Sequence, residues 1–108
     1  MAELEDTPGS APLGVETRTE AGDPVIAVSG DLDISSVERL RSAVEDATAG
    51  GPPELTFDMS DLRFMDSAGI AVLLGAASSV PTVRLRNPTK AVRRVIELTG
   101  LTQVLELE

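Results

Sequence analysis

The chain has 108 residues, a net charge of −9 from 18 Asp and Glu against 9 Lys and Arg, and 42% hydrophobic residues with Phe57 and Phe64 as the only aromatics. That suffices for one domain with one core of Val, Leu, Ile and Ala, and the absence of His and Cys excludes Ser-His-Asp and thiol catalysis, disulfides and zinc sites built from Cys and His. The acidic balance repels phosphate backbones and anionic surfaces, so neither nucleic acid nor a membrane is an expected partner; no apolar run approaches the ~20 residues that span a bilayer, no targeting pattern opens the chain, and a cytoplasmic location is expected.

Residues 1–12 combine Glu3, Glu5 and Asp6 with Pro8, Gly9 and Pro12, and read as a disordered acidic tail before a domain over residues 13–108. Val15, Thr17 and Thr19 then alternate with charged residues, Ala21-Gly22-Asp23-Pro24 signals a turn, and Val25-Ile26-Ala27-Val28 is apolar. This predicts two antiparallel strands joined by a hairpin. Ser35 and Glu38 stand at capping-box spacing and Val37, Leu40, Val44 and Ala47 repeat on one face, predicting a helix that starts at Ser35 and is stopped by Gly50-Gly51-Pro52-Pro53. A strand over 54–59, a helix from Ser67 to about Ala77, a strand over 82–86 and a helix over 89–99 follow. Asn87-Pro88 punctuates the start of that last helix and Gly100-Leu101 its end; Val104-Leu105-Glu106-Leu107 reads as a short edge strand. The order implies an α/β fold with right-handed crossovers, a mixed, mostly parallel sheet of four to five strands and about three helices. Partners of such sheets meet the loops beyond the strand carboxyl ends, here 30–34, 60–67 and 86–89.

Those loops hold the candidate residues. Ser67 falls where a helix N-cap belongs, so its hydroxyl is either a plain cap or a phosphorylation site whose new charge the helix amides would favour. Ala68 and Gly69 leave it open to a kinase. The run Ile70 to Ala77 is apolar all round, so that helix is either buried on every side or turned toward a partner. Asp31, Asp33, Asp58, Asp61 and Asp66 are spaced to gather at one sheet edge, where they would bind Mg²⁺ or accept a phosphoryl group. The plainer reading makes Asp31 and Asp33 turn formers, and no metal or other cofactor is expected. Arg84, Arg86, Lys90, Arg93 and Arg94 read as a solvated, charge-balanced face.

The stretch Leu55-Thr56-Phe57-Asp58-Met59 is similar to the phosphoacceptor strand of response-regulator receivers, but only one helix fits between Gly30 and Glu54, where a receiver has two. A fuller resemblance is carried by Gly30-Asp31-Leu32-Asp33, Phe57-Asp58-Met59-Ser60, Phe64-Met65-Asp66-Ser67-Ala68-Gly69 and the segment from Ala91 to Leu101. From about Leu13 to Leu107 the chain resembles STAS domains of the bacterial anti-sigma factor antagonist type. The resemblance implies the STAS fold and a non-enzymatic, partner-switching role. The antagonist would bind an anti-sigma factor that is also a GHKL-type serine kinase and so free a sigma factor. Phosphorylation of Ser67 would switch it off, and a PP2C-type phosphatase would reset it. The same resemblance places partner contacts at Asp31, Asp33, Asp66, Ala68, Gly69 and Val72. Two departures stand out: the stretch 74–82 is short, and the usual C-terminal helix is lacking, which would leave apolar area for a homodimer or a host complex. They motivate a second reading, a constitutive STAS scaffold or transporter-associated binding subunit without a phospho-switch.

Overall fold

The computed structural model describes residues 11–108; the expected tail lies, over residues 1–10, outside the described residues. Ala11 and Pro12 are held against the domain, because the Asp31 N–H donates to the Ala11 carbonyl (3.3 Å) and the Ala11 N–H donates to Asp31 Oδ2 (3.2 Å). Gly30 makes this crossing passable. Its φ is +81°, and a Cβ there would stand 2.0 Å from the Pro12 carbonyl oxygen, a position closed to any side chain.

Strands β1 (Gly14–Glu20) and β2 (Asp23–Leu32) pair antiparallel, with Glu20 opposite Asp23. The two residues between them, Ala21 and Gly22, both have positive φ (52° and 89°), the turn whose twist matches a two-residue hairpin. Helix α1 (Val37–Thr48), strand β3 (Glu54–Met65), helix α2 (Ser67–Ser79), strand β4 (Thr82–Arg86), helix α3 (Lys90–Leu98) and strand β5 (Glu106–Leu107) follow. Leu101–Gln103 forms a short 3-10 turn before β5. The sheet runs β1-β2-β3-β4-β5, and every pair after the first is parallel. The expected edge strand is thus β5.

Each crossover steps the chain one strand further in the same direction, and right-handed crossovers then put all three helices on one face. The strands alternate accordingly. Ile26, Val28, Leu55, Phe57, Met59, Val83 and Leu85 share one core with Val37, Leu40 and Val44 of α1, Val72, Leu73 and Ala76 of α2, and Val92 and Ile96 of α3. The opposite face carries a lattice of ion pairs. Arg18 bonds Glu20 (2.9 Å) and Asp58 (3.3 Å), Arg86 bonds Glu20 (3.1 Å) and Glu108 (3.4 Å), and Arg84 bonds Glu54 (2.6 Å) and Glu106 (3.2 Å). Arg84 and Arg86 are therefore charge-balanced on the sheet, while Arg93 pairs with Glu97 along α3 at 3.9 Å.

Three expectations about boundaries are corrected. β3 continues to Met65 instead of ending at Met59, so most of the expected loop 60–67 is strand. The register gives the reason: from Ala27 to Ser29 β2 advances two residues while β3 goes from Asp58 to Asp61, and from Gly30 to Asp31 β2 advances one while β3 goes from Leu62 to Phe64. Each shift bulges β3 by a residue and breaks the alternation that marks a strand. Helix α1 starts at Val37, not Ser35, and Ser36 at its N-cap makes no side-chain cap bond. The Asp33 carboxylate takes the Ser35 amide (2.9 Å) and hydroxyl (2.6 Å), so Ser35 belongs to a turn that precedes the helix. The third concerns Ser67 and is given with the site. Helix α3 keeps its expected start: Thr89 Oγ1 accepts from the Val92 N–H (3.3 Å) and donates to the Leu62 carbonyl (3.1 Å).

Candidate functional site

The site is built where β2 and β3 end side by side. The Asp66 N–H donates to the Leu32 carbonyl at 3.2 Å, stitching the chain that leaves β3 to the end of β2. This holds Asp66 extended (φ −108°, ψ −169°), the backbone an N-cap requires, and its Oδ1 accepts from the Ala68 N–H at 2.9 Å. The expectation that Ser67 caps the helix is therefore corrected: Asp66 is the cap and Ser67 is the first helical residue. Ser67 is exposed. Among the described residues its hydroxyl makes no hydrogen bond.

Gly69 is what lets this turn sit so low. A Cβ on it would stand 2.6 Å from Met65 Cγ and 2.7 Å from Leu32 Cδ2, so any larger residue must push these side chains aside to seat the helix start on the ends of β2 and β3. Beyond it Val72, Leu73 and Ala76 are buried, whereas Ala71, Leu74, Gly75 and Ser78 are exposed. The apolar helix is thus neither buried on every side nor polar outside. From Ser67 an uncharged stripe runs along its outer face.

Beside Ser67, the β2–α1 turn is tied by short bonds. Besides the two from Ser35, the Ser36 hydroxyl donates to the Asp31 carbonyl (3.1 Å) and accepts from the Asp33 N–H (3.1 Å). The Ser35 hydroxyl, then the Ser35 and Ser36 amides and the Ser36 hydroxyl, hold the Asp33 carboxyl below the usual carboxylate range against the opposing effect of burial, which leaves a fixed negative charge at the surface. Asp31 is 2% exposed, lying between the Ala11 crossing and Arg63, whose Nε is 3.7 Å from Oδ1.

The expected contact residues divide by depth. Asp33, Asp66 and Ala68 reach the surface, whereas Asp31, Gly69 and Val72 are buried and shape that surface from beneath. Asp58 is not brought here. It lies on the ion-pair face, where burial pushes its carboxyl up but Ser60 and Arg18 hold it below its ordinary value. Asp61 is exposed on β3, so the five aspartates do not converge, and among the described residues no group of three or more acidic side chains is placed to hold a metal ion. Sequence reasoning missed Leu32, whose carbonyl carries the cap through a backbone bond that leaves no residue-type signal, and Ser36, whose hydroxyl ties the turn and whose placement three residues after Asp33 was the available cue.

The family model described as "Mlab, STAS domain" matches residues 15–106. The chain belongs to the STAS domain family. Among relatives of this STAS domain, the anti-sigma F factor antagonist of Lysinibacillus sphaericus is 32% identical over 71% of the chain and 70% of that protein. A crystal structure of an anti-sigma factor antagonist from Mycobacterium paratuberculosis superposes with a TM-score of 0.83 at 27% identity, covering 89% of this chain and 85% of that one. The anti-sigma factor antagonist SpoIIAA is similar in its unphosphorylated form (TM-score 0.75, 26% identity, 88% of each chain) and, as a Bacillus cell fate determinant, in its phosphorylated form (0.67, 25%, 90% and 91%). The expected mixed sheet with three helices is the fold these STAS structures share. Among the described residues no helix is long and apolar enough to cross a membrane.

Proposed function

We propose that this STAS domain is a cytoplasmic anti-sigma factor antagonist switched by phosphorylation at Ser67. The unphosphorylated chain binds an anti-sigma factor with GHKL-type serine kinase activity and frees a sigma factor; that kinase phosphorylates Ser67, and a PP2C-type phosphatase removes the group. The observation that carries this reading is the exposed, unbonded Ser67 at the head of an uncharged helix stripe. A phosphoryl group there adds about two negative charges to a surface that a partner meets through apolar and small side chains. The helix start favours an anion, so the fold survives while the surface changes character. Asp33, Asp66, Ala68 and Ser67 form the contact, with Asp31, Gly69 and Val72 supporting it from below. A relative solved in both phosphorylated and unphosphorylated forms supports the same reading.

The test is capture from the native lysate with wild type, Ser67→Ala and Ser67→Glu as bait, with ADP present to block rephosphorylation. Wild type and Ser67→Ala are expected to retain a GHKL-type kinase that phosphorylates Ser67, and Ser67→Glu to release it. The alternative of a constitutive scaffold or transporter-associated subunit predicts one non-kinase partner retained by all three.

A further inference from the structure

Ile34 is the most exposed large apolar side chain among the described residues, at 81%. A lone exposed isoleucine needs no explanation by itself. Its placement supplies one. It stands between Asp33 and Ser35, in the turn whose backbone is tied by the Asp33 carboxylate to Ser35 (2.9 and 2.6 Å), by the Ser36 hydroxyl to the Asp31 carbonyl (3.1 Å), and by the Asp33 carbonyl to the Ser36 and Val37 amides (3.0 and 2.9 Å). A β-branched side chain on so constrained a backbone has few rotamers left to lose, and this preorganisation lowers the cost of burying it in a complex. The turn is also next to the switch: Leu32, two residues before Ile34, accepts the hydrogen bond from Asp66 at 3.2 Å. An apolar knob flanked by the ionised Asp33 is therefore presented on the same end of the sheet as Ser67, in a chain of net charge −9.

We propose that Ile34 is the specificity anchor of the Ser67 surface, entering an apolar pocket on the anti-sigma partner whose rim bears an Arg or Lys facing Asp33. This rests on the antagonist reading above, and commits to that partner as the occupant. The charge argument supplies the rim: a partner that covers Asp33 without a cation would desolvate a carboxylate for no return. Leu98, 77% exposed, lies at the far end of α3 from Thr89 and is no part of this surface.

The experiment uses the kinase captured by Ser67→Ala and purified, with its affinity for each full-length variant measured by titration calorimetry. Ile34→Ser is expected to weaken binding about 10- to 100-fold, as for a side chain of this size losing a pocket, and Ile34→Lys to weaken it further by facing the cationic rim. Leu98→Ser stays within about twofold. Thermal unfolding confirms that all variants are folded, as the exposure of both positions requires. If Ile34→Ser binds like wild type while Ser67→Glu does not bind, the anchor is wrong and the antagonist reading stands. If Ile34→Lys binds as well as Ile34→Ser, the cationic rim is wrong. If Ser67→Glu also binds like wild type, the antagonist reading falls and the anchor with it.

Discussion

The same substitution at two glycines of α2 should have opposite signs. Gly75 is exposed, and a Cβ added to it meets nothing within 4 Å. Gly75→Ala therefore gains the full difference in helix propensity, about 0.8–1 kcal/mol, and Tm should rise by roughly 4–8 °C for each kcal/mol in a domain of this size. Gly69→Ala gains the same propensity, but its Cβ falls 2.6 Å from Met65 Cγ and 2.7 Å from Leu32 Cδ2, where both neighbours are nearly or fully buried. Forcing a methyl into a packed site costs typically 1–3 kcal/mol, which outweighs the propensity gain and leaves a net loss of about 1 kcal/mol. The assay is paired thermal and urea unfolding of the two variants against wild type. A Gly69→Ala protein more stable than wild type would refute the account of this glycine as the contact that seats the helix. Because the displacement lifts the first turn, Gly69→Ala should also weaken partner binding more than Gly75→Ala.

Two further outcomes follow from the caps and the ion-pair face. Asp66→Ala removes the acceptor for the Ala68 N–H and should cost about 0.5–2 kcal/mol in urea unfolding, whereas Asp66→Asn, which keeps an acceptor oxygen, should cost less than half of that; equal losses would mean that charge, not the cap bond, is what Asp66 supplies. Glu20 is held below its usual value of 4.5 by hydrogen bonds from Arg18 and Arg86, which outweigh burial, and Asp58 is lowered as described. A carboxyl depressed in the folded state contributes stability that is complete above its unfolded pKa and lost as pH falls through the folded one. Urea midpoints followed from neutral pH to about pH 3 should therefore decline below about pH 4.5, and the decline should be shallower in an Arg18→Gln, Arg86→Gln double variant. Parallel declines would show that these exposed pairs are too well screened to contribute.

Much of the fold is legible in the sequence because the hydrophobic core lies on one face of the sheet, the other face burying Val25 and Thr56 among its ion pairs. A parallel strand covered on both sides reads as an unbroken apolar run, but Glu54-Leu55-Thr56-Phe57-Asp58-Met59 and Thr82-Val83-Arg84-Leu85-Arg86 keep a period of two, with Glu54, Asp58, Arg84 and Arg86 going to the ion-pair lattice. Where β3 bulges twice, that period is lost, and Ser60, inside the first bulge, and Asp61 read as loop although Asp61 pairs with Ser29 of β2. The site is legible in its residue types and not in its roles. Asp66 and Ser67 are both good cap residues, and the choice between them is made by the Leu32 carbonyl, which belongs to another strand. The acidic residues of the Asp31-x-Asp33 pair look alike in sequence; one is buried because Ala11 and Pro12 cross over it, and the other is held at the surface by two serines.

The hairpin between β1 and β2 has a practical consequence. β2 is ten residues long, about 30 Å at the usual rise of a strand, and it runs from the Ala21-Gly22 turn at one end to Leu32 beneath Asp66 at the other. Ala21 and Gly22 are exposed, and the space around Gly22 is open. A fluorophore on a cysteine placed at Ala21, unique in a chain that has none, would sit a full strand length from Ser67, so a partner docking at the phosphorylation end could be followed without touching the label.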